Sequence, residues 1–260
     1  MKELLKVINL NKSFGGLKVI DDVTFSLKKG ELLSLIGPNG AGKTTIFNII
    51  TRLIKEDSGK IVFNGIEINH LKTYQVARLG IGRTFQTIKL FENLTVEENV
   101  MAINGVKNDR SIFSTFYKLI MYKKDLKDIK DKSLEIISFL GLEKYKDQIS
   151  KNLPYGIQRR VEIARALALN PILLLLDEPS AGLNEAEAED LMVLLSKIRE
   201  KYKLTILLIE HNINLVMSIS ERIIVLDHGK LIAEGIPSEI QKNPLVIEAY
   251  LGGGDLNVNN

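Results

Sequence analysis

The chain has 260 residues, 45% of them hydrophobic, enough for one large domain or a core carrying a smaller subdomain. Its formal charge of +3 is too small to argue for nucleic acid, and the absence of cysteine excludes disulfides, thiolate metal sites and cysteine nucleophiles together. The longest strongly apolar run, Ile172 to Leu176, is far too short to span a bilayer, so membrane association is expected only through partners.

Leu4 to Leu10 and Val23 to Leu27 read as strands, the second alternating Val23, Phe25 and Leu27 with Thr24 and Ser26, and an antiparallel start is expected. Phe14, on the turn Ser13-Phe14-Gly15-Gly16 between them, fits neither pattern. It either stacks on a nucleobase or packs beneath the turn. The apolar run Leu32 to Ile36 then leads through Gly37-Pro38-Asn39-Gly40-Ala41-Gly42-Lys43-Thr44-Thr45 into a helix. A buried strand that turns into a helix at such a stretch is the context a polyphosphate-binding loop requires. Its glycines let successive backbone N–H groups face one concavity, and the helix adds its positive N-terminal end. Lys43 is expected to reach the β/γ-phosphates and Thr44 to hold Mg²⁺.

Next, Ile61 to Ile68 contains the Asn64-Gly65 pair that a two-residue hairpin needs. A helix near Thr73 to Leu79 and a short strand from Ile81 to Gln86 follow. From Thr95 the sequence turns helical, with Thr95 and Glu98 at capping-box spacing and one or two amphipathic helices between Ser111 and Leu140. Lys and Arg are dense between Lys107 and Lys132, yet Asp109, Asp125, Asp128 and Asp131 share the tract, which reads as a solvated helical face. Residues 87–170 are therefore expected to form a helical subdomain inserted into an α/β core of residues 1–86 and 171–251.

That core resumes at Ile172 to Leu176, a continuous apolar run ending in Asp177-Glu178 and suited to a strand buried on both faces of a parallel sheet. A helix capped by Asn184 and Glu187 aligns Leu191, Leu194, Leu195, Ile198 and Tyr202 on one face. Strand Leu204 to Ile209, the pair Glu210-His211 and a helix from Asn212 come next. Strand Arg222 to Leu226, the turn Asp227-His228-Gly229, strand Lys230 to Ala233 and a helical region through Leu251 complete the fold, and residues 252–260 read as a flexible tail. Alternating strands and helices imply a mainly parallel sheet with ligands beyond its carboxyl ends, where Gly37, Gln86, Asp177 and His211 fall. Asp177 fits a Mg²⁺ partner, touching the ion or standing behind the groups that do, and Glu178 fits the carboxylate that polarises an attacking water. Gln86 suits a bridge between metal and water; His211 suits either a γ-phosphate contact or the orientation of the carboxylate.

The order Gly37 to Thr45, Gln86, Leu153-Pro154-Tyr155-Gly156-Ile157-Gln158-Arg159-Arg160, Leu176-Asp177-Glu178-Pro179, Ala181-Gly182-Leu183-Asn184 and Glu210-His211 resembles the Walker A, Q-loop, signature, Walker B, D-loop and H-loop of ABC transporter ATPases. The resemblance covers nearly the whole chain, and the signature discriminates, because other P-loop ATPases lack it. Arg83-Thr84-Phe85-Gln86, Leu90 to Asn99, the tyrosine-containing signature and Asn243-Pro244 through Tyr250-Leu251-Gly252 further resemble the LivG-type subunit of branched-chain amino acid importers.

The resemblance implies a P-loop NTPase (RecA-like) α/β core with an antiparallel β subdomain and an inserted α-helical subdomain, using ATP and Mg²⁺. It implies a head-to-tail ATP sandwich with a second ABC ATPase chain, a related paralogue or a second copy, in which Gly156 serves the partner's nucleotide in trans and Phe14 stacks on the base. Gln86 and the helical subdomain would touch transmembrane permease subunits, placing the chain on the cytoplasmic face of the membrane. Pro154, Tyr155 and Ile157 replace the family's usual serine, first glycine and glutamine, and Pro154 offers a phosphate neither hydroxyl nor N–H. The implied function is ATP hydrolysis that powers import. The lipopolysaccharide-export ATPase shares much of this pattern. A nucleotide-gated clamp on DNA or ribosomes would need long heptad coils or a second motif set, and the sequence has neither.

Overall fold

Two sheets face each other across a shared layer of apolar side chains. In the computed structural model, which describes residues 2–104 and 115–252, the first sheet has the order β2-β1-β4-β5 and is antiparallel throughout. It comprises β1 (Glu3–Phe14), β2 (Leu17–Lys28), β4 (Ser58–Phe63) and β5 (Ile66–Glu67). β1 and β2 outrun the alternation that marks them, because Asn9 and Asp22 adopt left-handed φ of 46° and 55° and the β1–β2 register shifts between Val7 and Leu10 and again before Lys12. Such bulges interrupt the two-residue period without ending the ladder. Phe14 consequently closes β1 opposite Leu17, and Gly15 and Gly16 alone make the turn. At 45% exposed it does not pack beneath that turn. The β4–β5 connection is the expected tight hairpin, with positive φ at both Asn64 (49°) and Gly65 (83°).

The second sheet runs β10-β9-β3-β8-β7-β6, parallel except where β10 meets β9. Its strands are β3 (Leu32–Ile36), β6 (Ile81–Arg83), β7 (Leu173–Asp177), β8 (Thr205–Ile209), β9 (Arg222–Asp227) and β10 (Lys230–Gly235). β6 stops three residues short of the expected Gln86, since its ladder ends where Arg83 pairs with Leu175. On β7, Leu173 and Leu175 enter the layer shared with the first sheet and α1 (Lys43–Ile50), while Leu174 and Leu176 enter the opposite one. Each is fully buried, which stabilises the fold by about 1.5–3 kcal/mol per side chain.

That opposite layer is closed by helices. α3 (Val96–Asn104), α4 (Thr115–Phe139) and α5 (Tyr155–Ala168) meet through Val96, Val100, Ile136, Ile137, Leu140 and Val161. α6 (Glu185–Tyr202) covers the sheet with Leu191, Leu195 and Ile198. Both expected capping boxes form: Thr95 N–H donates to Glu98 (2.8 Å) and Glu98 N–H to Thr95 Oγ1 (3.2 Å), and Asn184 and Glu187 exchange the same bonds at 3.1 and 2.9 Å. The amphipathic stretch is one helix over its described part. α2 (Thr73–Arg78), α7 (Ile213–Ile219), α8 (Pro237–Ile240) and α9 (Pro244–Gly252) complete the set, with Gly252 inside α9. Ser111, part of the basic tract, and positions 253–260 of the expected tail lie outside the described residues.

Candidate functional site

The loop between β3 and α1 is wedged between two strands. Gly37 has φ +148°, and a Cβ there would lie 2.0 Å from the Leu226 carbonyl oxygen of β9; Gly42 has φ +102°, and its Cβ would lie 2.8 Å from the Val19 carbonyl oxygen of β2. Only glycine fits either place. Gly40 also has positive φ but faces open space. Lys43 is buried, and its Nζ donates to the carbonyls of Gly37 (2.6 Å) and Pro38 (2.9 Å), so the ammonium spans the concavity. Asn39 and Gly40 are exposed at the loop's tip, Pro38, Thr44 and Thr45 are half-buried, and Ala41 is buried with its carbonyl accepting from Gly229 N–H at 3.2 Å. The first turn of α1 aims its N–H groups at the same loop, a ready site for phosphate oxygens.

Glu178 follows β7 in a left-handed conformation (φ 47°), anchored by its N–H to the Ile209 carbonyl at 2.9 Å. Both carboxylate oxygens are engaged: Gln86 Nε2 donates to Oε2 at 2.8 Å, and His211 Nε2 lies 2.7 Å from Oε1. Gly37, Pro38, Asn39, Gln86, Glu178, His211, Ile213 and Tyr250 line one open cavity of about 470 Å³. Loop, carboxylate, amide and imidazole therefore meet as the sequence suggested. Glu210 does work the sequence did not reveal. Buried at 2% exposure, it accepts from Ser180 N–H (2.8 Å) and His211 N–H (3.1 Å), tying the segment after β7 to the segment after β8.

Asp177, at the end of β7, is 1% exposed. Arg83 Nη2 donates to its Oδ2 at 2.8 Å, while Nη1 donates to Asn48 Oδ1 (2.8 Å) and Thr51 Oγ1 (3.0 Å) of α1 and the turn after it. Burial pushes the Asp177 carboxyl up, with Arg83 offsetting part of that, and burial likewise pushes the Arg83 guanidinium down. Asp177 Oδ1 is buried without a hydrogen-bond partner among the described residues. An orphaned carboxylate oxygen of this kind suits a hard cation. No group of three or more His, Cys, Asp or Glu among the described residues is placed to hold a metal ion together, so such an ion would complete its shell from phosphate and water, as Mg²⁺ does.

Phe14 and Gly156 stand apart from this constellation, Gly156 as expected of a residue that serves a partner's nucleotide in trans. Phe14, with Lys12 Nζ 5.2 Å from its ring centroid, is not among the residues lining the cavity on the loop's other side, which Leu17, Lys18, Val19 and Pro38 to Ala41 help wall. Gly156 lines neither cavity. It lies in the first turn of α5, where a Cβ would meet Leu183 at 3.4 Å and Glu187 at 3.5 Å, while Pro154 caps the helix through its carbonyl, accepting from Ile157 and Gln158 N–H at 3.0 Å.

The family described as ABC transporter matches residues 20–181, and a second, described as branched-chain amino acid ATP-binding cassette transporter, matches residues 230–255. The high-affinity branched-chain amino acid transport ATP-binding protein LivG of Salmonella typhimurium is 42% identical over 96% of this chain and 98% of its own length. Among solved structures, the ADP conformation of an ATP-binding cassette of an ABC transporter superposes with a TM-score of 0.84 at 33% identity, covering 97% of this chain and 100% of that one. A dimeric post-hydrolysis state of an ATP-binding cassette bound to ADP and Pi has a TM-score of 0.76 at 30% identity, covering 90% and 99%.

Proposed function

This chain belongs to the ABC transporter family and is an ATPase by that membership, and from that premise we propose that it powers a transmembrane importer of branched-chain amino acids. The convergence of Gln86 and His211 on Glu178 beside the phosphate loop carries the hydrolytic part of this reading. The cargo part is supported by the LivG relative and by the match of residues 230–255.

In this reading the loop Gly37 to Thr45 cradles the phosphates, Lys43 supplies a positive charge to the β/γ pair, and the exposed ring of Phe14 stacks on the base. Thr44, Asp177 and Gln86 would hold Mg²⁺, which would supply neutralisation of the phosphate charge. Glu178 takes the proton of the attacking water as its oxygen reaches the γ-phosphorus and the bridge to ADP breaks. His211 and Gln86 keep both oxygens of that carboxylate aimed. Gly156 and the first N–H groups of α5 serve the nucleotide of a second ABC ATPase chain, a related paralogue or another copy, so each chain holds half of each site. Residues 87–170 form the helical subdomain that, with Gln86, contacts the permease. No helix among the described residues is long and apolar enough to cross a membrane, and the permease would hold the chain at the membrane's cytoplasmic face.

Co-purification with candidate permeases, followed by ATPase assays in vesicles, tests the proposal. Stimulation by leucine, isoleucine or valine is expected. Stimulation only with a lipopolysaccharide-exporting permease, or with none, would overturn the cargo assignment.

A further inference from the structure

The signature helix carries a buried charge pair that touches none of the groups assigned to hydrolysis except one. Arg159 and Glu162, on α5, are 0% and 4% exposed, and Arg159 Nη1 lies 2.8 Å from Glu162 Oε2. Burying such a pair costs more than its attraction returns unless the remaining donors and acceptors are also satisfied. Here a single stretch of backbone engages both Nη atoms and one Glu162 oxygen, while Arg159 Nε stays buried without a partner among the described residues. Arg159 Nη1 donates to the Phe85 carbonyl (2.8 Å) and Nη2 to the Gln86 carbonyl (2.9 Å), while Glu162 Oε1 accepts from Phe85 N–H (3.1 Å). Three backbone groups of Phe85 and Gln86 are thus fastened to α5, and the same Gln86 sends its Nε2 to Glu178.

The fastening continues in the other direction. Arg159 Nη2 also donates to the Tyr155 hydroxyl at 3.3 Å, and the Tyr155 ring packs against Gly182, where a Cβ would lie 2.9 Å from Tyr155 Cε1. The tyrosine that departs from the usual signature therefore bridges Arg159 to the loop after β7. Every step from the start of α5 to Glu178 is a packed ring, a guanidinium, a backbone peptide group or, at the last link, the Gln86 side-chain amide.

We propose that Arg159 and Glu162 are positioning residues that lock Gln86 to the signature helix, so that Glu178 is aimed for hydrolysis only while α5 holds this packing. The inference rests on the reading of Gln86 and Glu178 as hydrolytic groups. Neither Arg159 nor Glu162 touches substrate; both act through the backbone of Gln86. Because α5 also carries Gly156, the half-site offered to a partner and the water-activating group of the chain's own site then move as one piece.

The test is a mutant cycle on the full chain, read by single-turnover ATP hydrolysis and by equilibrium binding of a fluorescent ATP analogue. The neutral pair Arg159→Met with Glu162→Gln leaves no unpaired buried charge, and Arg159→Lys keeps a charge against Glu162 while losing the fork that reaches two carbonyls. Each is expected to slow hydrolysis roughly tenfold to a hundredfold with nucleotide affinity within about twofold. In a Gln86→Ala background neither should slow it further, because the element they position is gone. Equal losses in both backgrounds, or unchanged hydrolysis in either folded variant, would overturn the inference alone. A Gln86→Ala protein hydrolysing at the unmodified rate would remove Gln86 from the site and the inference with it.

Discussion

His211 Nε2 stands 2.7 Å from Glu178 Oε1, and with Gln86 on the second oxygen the carboxylate is fixed in rotation as well as in place. A group held this way aims its proton-accepting oxygen without relying on bound nucleotide. Glu178→Gln should therefore bind ATP normally, through Lys43 and Thr44, and hydrolyse it slower by about 10²–10⁴. Single-turnover rates near those of the unmodified chain would remove Glu178 from its role.

His211→Ala removes the support and keeps the carboxylate. The expected loss is smaller, about a hundredfold at most, again with ATP affinity preserved. Combined with Glu178→Gln it should add little, since the two side chains act as a unit. Rapid-quench measurements on the two single variants and the double variant decide this.

Two glycines of the phosphate loop should behave differently. Gly37→Ala drives a methyl into the Leu226 carbonyl, neither side of which can yield, and should cost about 3 kcal/mol and lower Tm by roughly 6–12 °C. Gly40→Ala meets open space and pays only for its φ of +82°, about 1–2 kcal/mol. Calorimetry that found the two equal would contradict the wedge described for this loop.

Arg222 grips Glu31 with Nε at 2.7 Å and Nη2 at 3.0 Å and also donates to the Ser26 carbonyl at 2.6 Å, joining β9 to the end of β2. Burial works to raise the Glu31 carboxyl, but Arg222 and the Lys28 N–H outweigh it and hold it below the ordinary glutamate range. A lowered carboxylate pKa means stabilisation present in full above the unfolded-state value and lost as pH falls through the folded one. Arg222→Met should cost about 3 kcal/mol at neutral pH. In urea titrations its deficit should shrink as the pH drops below the ordinary glutamate range; a deficit constant across the acid range would contradict the assignment.

Signals that live within a few residues were legible in the sequence. The capping boxes at Thr95 and Asn184, the Asn64-Gly65 hairpin and the apolar run before Asp177 each carry their geometry in their own spacing. Bulges at Asn9 and Asp22 hid half the length of β1 and β2, because a strand that bends there no longer alternates. Nothing in the i,i+3 spacing of Arg159 and Glu162 marks them as buried. What makes them buried is Phe85 and Gln86, 74 and 73 positions away from Arg159, a distance no local pattern spans. Arg83 and Asp177 are separated by 94 positions, so the sequence could nominate the carboxylate without showing what holds it. Glu210, beside the legible His211, was hidden for the same reason: its partner Ser180 is 30 positions upstream.

The strand that launches the phosphate loop, β3, pairs on one side with β8 and on the other with β9. Both neighbours are synthesised long after it, and β9 is complete only at Asp227. A nascent chain leaving the ribosome thus carries its glycine-rich loop early but has no frame to hold it until most of the protein has emerged. Nucleotide binding should arise late in biogenesis, and such widely separated pairings make closing the central sheet a slow step of folding.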